Sequence, residues 1–212
     1  MSITRNDIVE ASINILNRDG ITGLSMRSIA KELKIKAASL YFHISGKTEL
    51  FSEIAEYLCI QCAKPEETLK ARDYLIEAAK MYRAMLLTVR DSVEIFEDST
   101  PSTPCRIGII RSWTERLLKI GIGEKNLLTV ANIINNYVLS FTEDELRKKR
   151  RTSEEIRATN KMLDFKNQAV SGKPKKAKVP GSKQASVDEH YFDEQFIFGL
   201  RLILAGIETA GS

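Results

Sequence analysis

The sequence SMRSIAKELKIKAASLYFH at residues 25–43 places two short helical segments on either side of a link of only three residues. Ser25 is a typical N-cap residue, and the apolar side chains that follow it recur at helical spacing. The link, residues 34–36, leads into a second segment of about two turns, residues 37–43. Such a short link forces the two helices to cross closely, which is the spacing of a helix-turn-helix.

Four bulky residues stand side by side at residues 40–43 of that second segment. Adjacent residues of a helix point in different directions, so the four cannot all face one core. We expect Leu40 to hold the short helix against its partner and Tyr41 and His43 to point outward, while Phe42 could take either direction. The spacing favours DNA binding through the second helix, and the alternative is a generic three-helix surface with scattered charge.

Apolar residues recur at three- and four-residue intervals through almost all of the remaining chain, and no convincing alternating strand is present. We therefore predict an all-α fold. Helices are expected at about 4–19, 25–33, 37–43, 47–62, 66–88, 105–120, 127–141 and 192–207. The breakers STPSTP at 99–104 and GIG at 121–123 separate the later helices.

The expected domains are an N-terminal three-helix unit, residues 1–46, and a larger helical unit, residues 47–212, that begins with a connecting helix at 47–62. The formal net charge is +4, but residues 147–183 hold 13 Lys/Arg against 3 Asp/Glu, so this segment is +10 and the remainder is −6. Residues 147–187 are expected to form a basic, partly disordered loop. Its run of basic residues is either a solvated loop or a contact to DNA or an anionic membrane.

The chain has no run of about 18 apolar residues and no basic-then-apolar leader, so we expect a cytoplasmic protein that does not insert into membranes. Its three cysteines do not suggest a disulfide framework. Cys59 and Cys62 form a CxxC, which is either a thiol or metal switch or a pair of helix-packing residues. A structural zinc site needs four ligands, and neither histidine is nearby in sequence.

No Ser/His/Asp order, HExxH motif or phosphate-binding glycine loop is present, and the chain has only two histidines. We therefore expect no enzyme activity, no cofactor and no resident metal.

Residues 3–58 resemble the DNA-binding domain of the TetR family, the tetracycline-repressor-like one-component regulators. The segments that carry this resemblance are Gly20-Ile21, Gly23-Leu24-Ser25-Met26-Arg27, Ile29-Ala30, Leu40-Tyr41-Phe42-His43 and Lys47-Thr48-Glu49-Leu50. Residues 79–91 and 196–208 are similar, more loosely, to the ligand-binding domain of the tetracycline repressor.

The resemblance implies that Arg27 reaches a guanine edge, and that Lys47 holds a phosphate together with the amides of the following helix. The residues that it places at the DNA are Arg27, Lys36, Ala37, Ala38, Ser39, Tyr41, Phe42, His43 and Lys47. Ala37 and Ala38 stand where the tetracycline repressor has a glutamine and a proline. Alanine cannot hydrogen-bond a base, so the operator is expected to differ.

The resemblance also implies a ligand pocket lined by Ala63, Ala78, Tyr82, Phe96, Ser99, Thr100, Pro101, Trp113, Ile134 and Glu143. Phe96 occupies the position of a histidine that helps to bind magnesium-tetracycline, and alanines occupy the positions of other polar drug contacts. We therefore expect a different effector, apolar or aromatic and either uncharged or cationic.

Two apolar stripes, on residues 127–141 and 192–207, are either internal core or a partner face. The resemblance implies a homodimer in which these helices and their mates form a four-helix bundle. The expected interface residues are Leu127, Ala131, Ile134, Val138, Phe192, Phe196, Gly199 and Ile203. The resulting hypothesis is a repressor that a small molecule releases from a palindromic double-stranded DNA operator, by moving the helix that begins at Lys47.

Overall fold

The computed structural model describes residues 3–150 and 189–210. These residues form nine α-helices and two short 3-10 turns, and neither described range contains a strand. The predicted all-α fold is therefore confirmed. The helices are α1 (Arg5–Asp19), α2 (Met26–Glu32), α3 (Ala37–Leu40), α4 (Lys47–Gln61), α5 (Ala71–Leu86), α6 (Ser92–Glu97), α7 (Pro104–Lys119), α8 (Leu127–Arg150) and α9 (Glu189–Ala210). The 3-10 turns are Ile21–Gly23 and Glu124–Asn126.

Reciprocal side-chain caps begin the first two helices. The Thr4 backbone N–H donates to Asp7 Oδ2 at 2.8 Å, and the Asp7 N–H donates to Thr4 Oγ1 at 3.2 Å. Ser25 and Ser28 exchange the equivalent bonds at 2.9 and 3.0 Å. Both pairs satisfy N–H groups that have no partner within the helix, which fixes where α1 and α2 start.

A tight C-terminal cap produces the short link between α2 and α3. Lys34 has φ 56°, in the left-handed region, and the Ile35 N–H donates to the carbonyl of Ala30 at 2.9 Å. This is the Schellman arrangement, in which one left-handed residue ends a helix and the next returns to its last turn. The chain therefore changes direction within the three linking residues, and α3 crosses α2 closely.

The three N-terminal helices, called the head here, enclose a small apolar core beneath the start of α4. The residues that fill this core are almost fully buried: Ile8, Ile15, Leu16, Ile29, Leu40 and Ile44. Leu40 thus faces inward from α3, as expected from its position.

Hydrogen bonds around the end of α1 join the head to the rest of the molecule. The Ile21 N–H donates to Asp91 Oδ2 at 2.9 Å, and the Arg90 N–H donates to Asn17 Oδ1 at 3.0 Å. Gly20 lies between these bonds with φ 74° and ψ −177°, and a Cβ there would be 2.8 Å from Arg90 Nη2 and 2.9 Å from Asp91 Oδ2. The junction therefore depends on the absence of a side chain at residue 20.

Helices α5 to α9, called the body here, pack together around a buried ion pair. Arg83 of α5 donates from Nε to Glu145 Oε2 of α8 at 2.9 Å and from Nη1 to Asp193 Oδ1 of α9 at 2.6 Å. Its guanidinium also lies 5.1 Å from the ring centre of Phe196. One buried arginine thus joins three helices.

Several helix boundaries differ from the predictions. The helix expected at 66–88 extends only over Ala71–Leu86, and the segment expected at 37–43 is α-helical only over Ala37–Leu40 and ends in a turn. The sequence pattern also missed α6, which follows the left-handed residue Asp91.

The predicted start of the basic loop, residue 147, lies within helix α8. Helix α8 continues to Arg150, because ion pairs one turn apart support its last turns: Arg147 with Glu143 and Lys149 with Glu145, each at 2.8 Å. Residues 151–188 of that predicted loop lie outside the described residues.

Among the helices of the two described ranges, none is both long and apolar enough to span a bilayer.

Candidate nucleic-acid interface and interior cavities

The four adjacent bulky residues at 40–43 point in different directions. Leu40 is fully buried, whereas Tyr41 is 56% exposed and Phe42 is 88% exposed. His43 is partly buried, and Ile44 returns to the core. Phe42, whose direction the sequence left open, therefore points outward with Tyr41. Two exposed aromatic side chains in the turn after a short helix form a surface suited to contact with another macromolecule.

The other residues expected at the DNA lie around these aromatics in the head and at the start of α4. Six of the nine are exposed and are called the reading face here: Arg27, Lys36, Ala38, Tyr41, Phe42 and Lys47. The remaining three are partly buried: Ala37, Ser39 and His43. The reading face thus combines three cations with two aromatic rings.

Lys47 stands on the first turn of α4, with its Nζ 4.8 Å from the ring centre of Phe51. Gly46 at the N-cap provides no side-chain cap, so N–H groups of this turn are available to an anion. Ser45 donates to Glu49 from its N–H and its hydroxyl, at 2.7 and 2.6 Å, which holds the pKa of Glu49 below its usual value. Arg5 offsets this negative charge through an ion pair with Glu49 at 3.0 Å.

Two adjoining, partly open cavities lie between the body and the C-terminal end of α4, one on each side of α7. The inner cavity has a volume of about 90 Å³ and the outer cavity about 260 Å³. Tyr82, Ile109 and Trp113 line both of them. The Tyr82 ring meets Phe96 and Trp113 edge-on, with ring centres 5.6 and 5.9 Å apart. An aromatic wall therefore separates two chambers, which fits an apolar or aromatic ligand.

The expected ligand residues are only partly brought together. Tyr82 and Trp113 line both cavities, Pro101 lines the inner one, and Ala63 and Ala78 line the outer one. Phe96, Ser99 and Thr100 lie behind this wall, where they contact the guanidinium of Arg106.

Two of the expected ligand residues lie elsewhere in this protomer. Ile134 is fully buried and lines neither cavity. Glu143 lies in an exposed groove with Asp91, Glu94 and Arg147, and it forms an ion pair with Arg147. Within one protomer, neither residue is part of the lining of these two cavities.

Sequence reasoning missed Arg106, which is only 9% exposed and lines the inner cavity. It donates to Ser99 Oγ at 2.6 Å and to the carbonyl of Thr100 at 3.3 Å. The signal was its spacing of three and seven residues before Ile109 and Trp113, which places all three on one face of α7. Asn132 and Asn135 of α8, which also line this cavity, were missed too.

Helix α4 makes a direct contact with the start of α7. The carboxylate of Glu56 accepts the Cys105 N–H at 2.8 Å and the Arg106 N–H at 3.3 Å. A carboxylate at a helix N-terminus is favourable because it satisfies free N–H groups and the positive end of the helix dipole. The helix that begins at Lys47 is thereby bonded to the cavity wall.

The CxxC cysteines lie in different surroundings. Cys59 is buried in the core, and burial raises the pKa of its thiol to about 12. Cys62 and Cys105 are partly buried and both line the outer cavity, and burial raises the pKa of each thiol. In the part of the chain that the structure describes, no three His, Cys, Asp or Glu residues are placed to hold a metal ion. This geometry does not favour a switch through Cys59 and Cys62, because a protonated thiol is a poor nucleophile and ligand.

Most of the residues expected at the dimer interface are buried inside the protomer. Five are buried between helices of one chain: Ala131, Ile134, Val138, Phe192 and Phe196. Leu127, Gly199 and Ile203 are only partly buried. Gly199 instead makes room for Tyr137 of the same protomer, since a Cβ there would lie 2.3 Å from Tyr137 Oη. The exposed large apolar residues of α8 and α9 are Leu128, Ile133, Tyr191, Phe198 and Leu202.

Comparison with known proteins gives consistent matches over the head and the body. Residues 8–54 match the model of bacterial regulatory proteins of the tetR family, and residues 63–210 match the tetracyclin repressor-like C-terminal domain. The chain is 23% identical to the class E tetracycline repressor of Escherichia coli over 98% of this chain and 92% of that protein. It is 26% identical to the class G repressor of Vibrio anguillarum over 65% of this chain and 66% of that protein.

Solved structures share the fold over nearly the whole chain. Apo ActR from Streptomyces coelicolor has a TM-score of 0.77 at 21% identity, with both chains fully covered. BioQ with its double-stranded DNA operator has a TM-score of 0.72 at 23% identity and covers 98% of this chain and 99% of that one. The two family matches together span most of the sequence. The chain therefore belongs to the TetR family of DNA-binding bacterial regulators, which are transcriptional regulators rather than enzymes, and it has a tetracycline-repressor-like C-terminal domain.

Proposed function

We propose that this chain is a homodimeric repressor that binds a palindromic DNA operator and is released from it by a small molecule. The observation that carries the proposal is the course of α4. Its first residue, Lys47, belongs to the reading face, Glu56 caps α7, and Cys59 lines the inner cavity. A ligand that displaces α7 would therefore move the same helix that adjoins the DNA surface.

The reading face would contact DNA in two ways. Tyr41 and Phe42 at the end of α3 would meet base edges or the sugar-phosphate backbone in a major groove. Lys47 and the N–H groups of the first turn of α4 would hold a phosphate and so fix the position of the head. BioQ, which has a similar fold, has been solved with its double-stranded DNA operator, and this supports the same use of the head here.

Release would follow from a change in the distance between two heads. A dimer binds half-sites about one helical turn of DNA apart, or a multiple of that, so a small change in head separation breaks the match. ActR has been solved with actinorhodin, and a tetracycline repressor from Acinetobacter baumannii with minocycline. These related folds support a small-molecule ligand in the body.

The second copy would cover the outward faces of α8 and α9. Leu128 and Ile133 of α8 and Tyr191, Phe198 and Leu202 of α9 are between 46% and 65% exposed. So many large apolar side chains on two adjacent helices are typical of a protein interface rather than of free surface. The interface is thus proposed for other faces of α8 and α9 than the one expected from the sequence.

Lys47→Ala tests the phosphate contact. We expect the variant to bind operator DNA more weakly whatever the base sequence, because one cation that displaces a counterion is lost. In fluorescence anisotropy titrations over a series of salt concentrations, the slope of log affinity against log salt should fall by about 1.

The matched control is Lys119→Ala, at the exposed C-terminal end of α7 and outside the reading face. Its slope should equal that of the unchanged protein. An unaltered slope for Lys47→Ala, with folding intact, would remove Lys47 from the interface.

A further inference from the structure

We infer that the small-molecule effector is an anion, whose carboxylate or equivalent acidic group binds the Arg106 guanidinium in the inner cavity. The regulatory role of this anion rests on the proposed function, but its binding at this site does not depend on DNA. This ligand class differs from the uncharged or cationic molecule expected from the sequence, which did not place Arg106 in the wall.

Arg106 is a buried cation whose hydrogen-bond partners are all neutral. It donates to the Ser99 hydroxyl at 2.6 Å, to the carbonyl of Thr100 at 3.3 Å and to the carbonyl of Phe96 at 3.5 Å. Its guanidinium also lies 4.9 Å from the ring centre of Phe96. These groups orient the side chain but leave its charge without a counter-ion.

The two other buried arginines are neutralised. Arg83 pairs with Glu145 and Asp193, and Arg116 pairs with Glu67. Arg106 forms no ion pair with a carboxylate in the described part of the chain. A buried charge is costly when it is unpaired, so an anion in the adjoining cavity would be stabilised strongly.

Two further donors in the same wall are unused. The Tyr82 hydroxyl and the Trp113 indole N–H belong to side chains more than nine-tenths buried, and neither donates a hydrogen bond to a group of the described chain. Burial raises the pKa of Tyr82, so its hydroxyl stays protonated and can donate. Both residues line the inner cavity, where an acceptor on a ligand would satisfy them.

Negative charges near this wall do not cancel the effect of Arg106. The inner cavity has no Asp or Glu in its lining. Glu56 of α4 lies outside this lining, where its carboxylate accepts the N–H groups of Cys105 and Arg106, and Glu97 lies in a separate open groove that Arg106 also reaches. In the outer cavity, the charge of Glu67 is paired with Arg116. Among the described residues that line the inner cavity, Arg106 is therefore the one charged residue, and the other polar groups are mainly donors.

The two cavities suggest how a larger anion would lie. The inner cavity, at about 90 Å³, can hold the acidic group and little more, whereas the outer one has about 260 Å³. The apolar body of the ligand would pass between Tyr82, Ile109 and Trp113, so α7 would have to shift. Because Glu56 is bonded to the first turn of α7, that shift would reach α4.

The test uses three cyclohexyl probes of similar size and different charge: cyclohexanecarboxylate, cyclohexanecarboxamide and cyclohexylmethylamine. Trp113 is the only tryptophan of the chain, so intrinsic fluorescence reports on the cavity wall, and these probes do not absorb where tryptophan does. We expect the carboxylate to bind roughly 10- to 100-fold more tightly than the carboxamide, the range for a charge-assisted hydrogen bond. The amine should bind most weakly.

Arg106→Gln should remove the preference for the carboxylate and change the carboxamide affinity by less than about threefold, because mainly the charge is lost. Arg111→Gln is the matched control, since Arg111 is an exposed arginine on the same helix, and it should keep the preference. If circular dichroism shows that Arg106→Gln does not fold, Tyr82→Phe serves instead. It should weaken carboxylate binding roughly threefold to tenfold and carboxamide binding less.

The inference is overturned if the carboxamide or the amine binds the unchanged protein as tightly as the carboxylate. Equal weakening of carboxylate and carboxamide by Arg106→Gln would overturn it too. Failure of the proposed function would give a different result. If the protein prefers the carboxylate but binds no DNA, the anion site is supported and the repressor function is contradicted. If the protein binds an operator but shows no charge preference among the three probes, the repressor function is supported and the anion site is contradicted.

Discussion

Gly20→Ala is expected to lower the free energy of unfolding by about 2 to 4 kcal/mol. Gly20 has φ 74° and ψ −177°, a region of backbone conformation that is essentially restricted to glycine. A Cβ would also meet Arg90 Nη2 at 2.8 Å and Asp91 Oδ2 at 2.9 Å, and Asp91 would have to move away from the Ile21 N–H. The variant therefore has a strained backbone at residue 20 and loses a hydrogen bond between the head and the body.

Gly46→Ala is the matched control for this prediction. Gly46 has φ 171°, which is extended backbone that any residue adopts, and a Cβ there meets no atom within 4 Å. The control should change the free energy of unfolding by at most about 1 kcal/mol. Urea unfolding followed by circular dichroism, at one fixed protein concentration for all variants, measures both. Equal stabilities of the two variants would contradict the account of the junction.

Arg83→Met is expected to lower the free energy of unfolding by about 3 to 5 kcal/mol, because it leaves a buried carboxylate without its arginine. Glu145 is 1% exposed and would keep only Lys149, at 2.8 Å. Methionine keeps a long, flexible apolar side chain but removes the guanidinium, which lies 5.7 Å from the ring centre of Phe141 and 5.1 Å from that of Phe196. The loss would therefore report on the ion pairs and these cation–π contacts together. Thermal and urea unfolding of the purified variant measure the effect.

Two further variants separate the possible causes. Lys80→Met removes a surface ion pair with Glu77 on the same helix and should change stability by less than about 1 kcal/mol. Combining Arg83→Met with Glu145→Gln removes the unpaired charge and should recover part of the lost stability. A double variant as unstable as the sum of its parts would show that Arg83 acts through packing.

The sequence was most informative in the head, where the relevant interactions are local. Ser25, the three-residue link and Leu40 lie within 16 residues of one another, so capping and helical spacing were enough to predict two crossed helices. The direction of Phe42 was left open because it follows from the turn after α3, and this turn replaces the expected helical continuation.

The sequence does not determine which face of α8 and α9 meets a second copy, because both helices are apolar on more than one side. The expected residues Ile134, Val138 and Phe196 do form a regular stripe, but the structure turns it toward the protomer core. Periodicity identifies an apolar face and not what covers it. Ile133 and Phe198, one or two positions away, are the residues that remain exposed.

Only part of the cavity lining was predicted. Its aromatic wall, Tyr82 and Trp113, came from the family resemblance and does line the two cavities. Arg106 was missed because an arginine beside a Ser/Thr/Pro segment usually indicates solvent exposure. Its burial depends on Ser99 and Thr100 folding back over α7, and on α8 closing the other side, which no short-range pattern encodes.

The most direct measurement of the central claim is selection of DNA by the purified full-length chain from sheared genomic DNA of the organism that encodes it, followed by sequencing and footprinting. We predict a small set of enriched fragments that share an inverted repeat, with half-sites about 10 base pairs apart or a multiple of that. Binding should weaken steeply with salt, and Lys47→Ala should weaken it at every site. Absence of any enriched or protected fragment at low salt, from a protein that is folded and dimeric, would contradict the account.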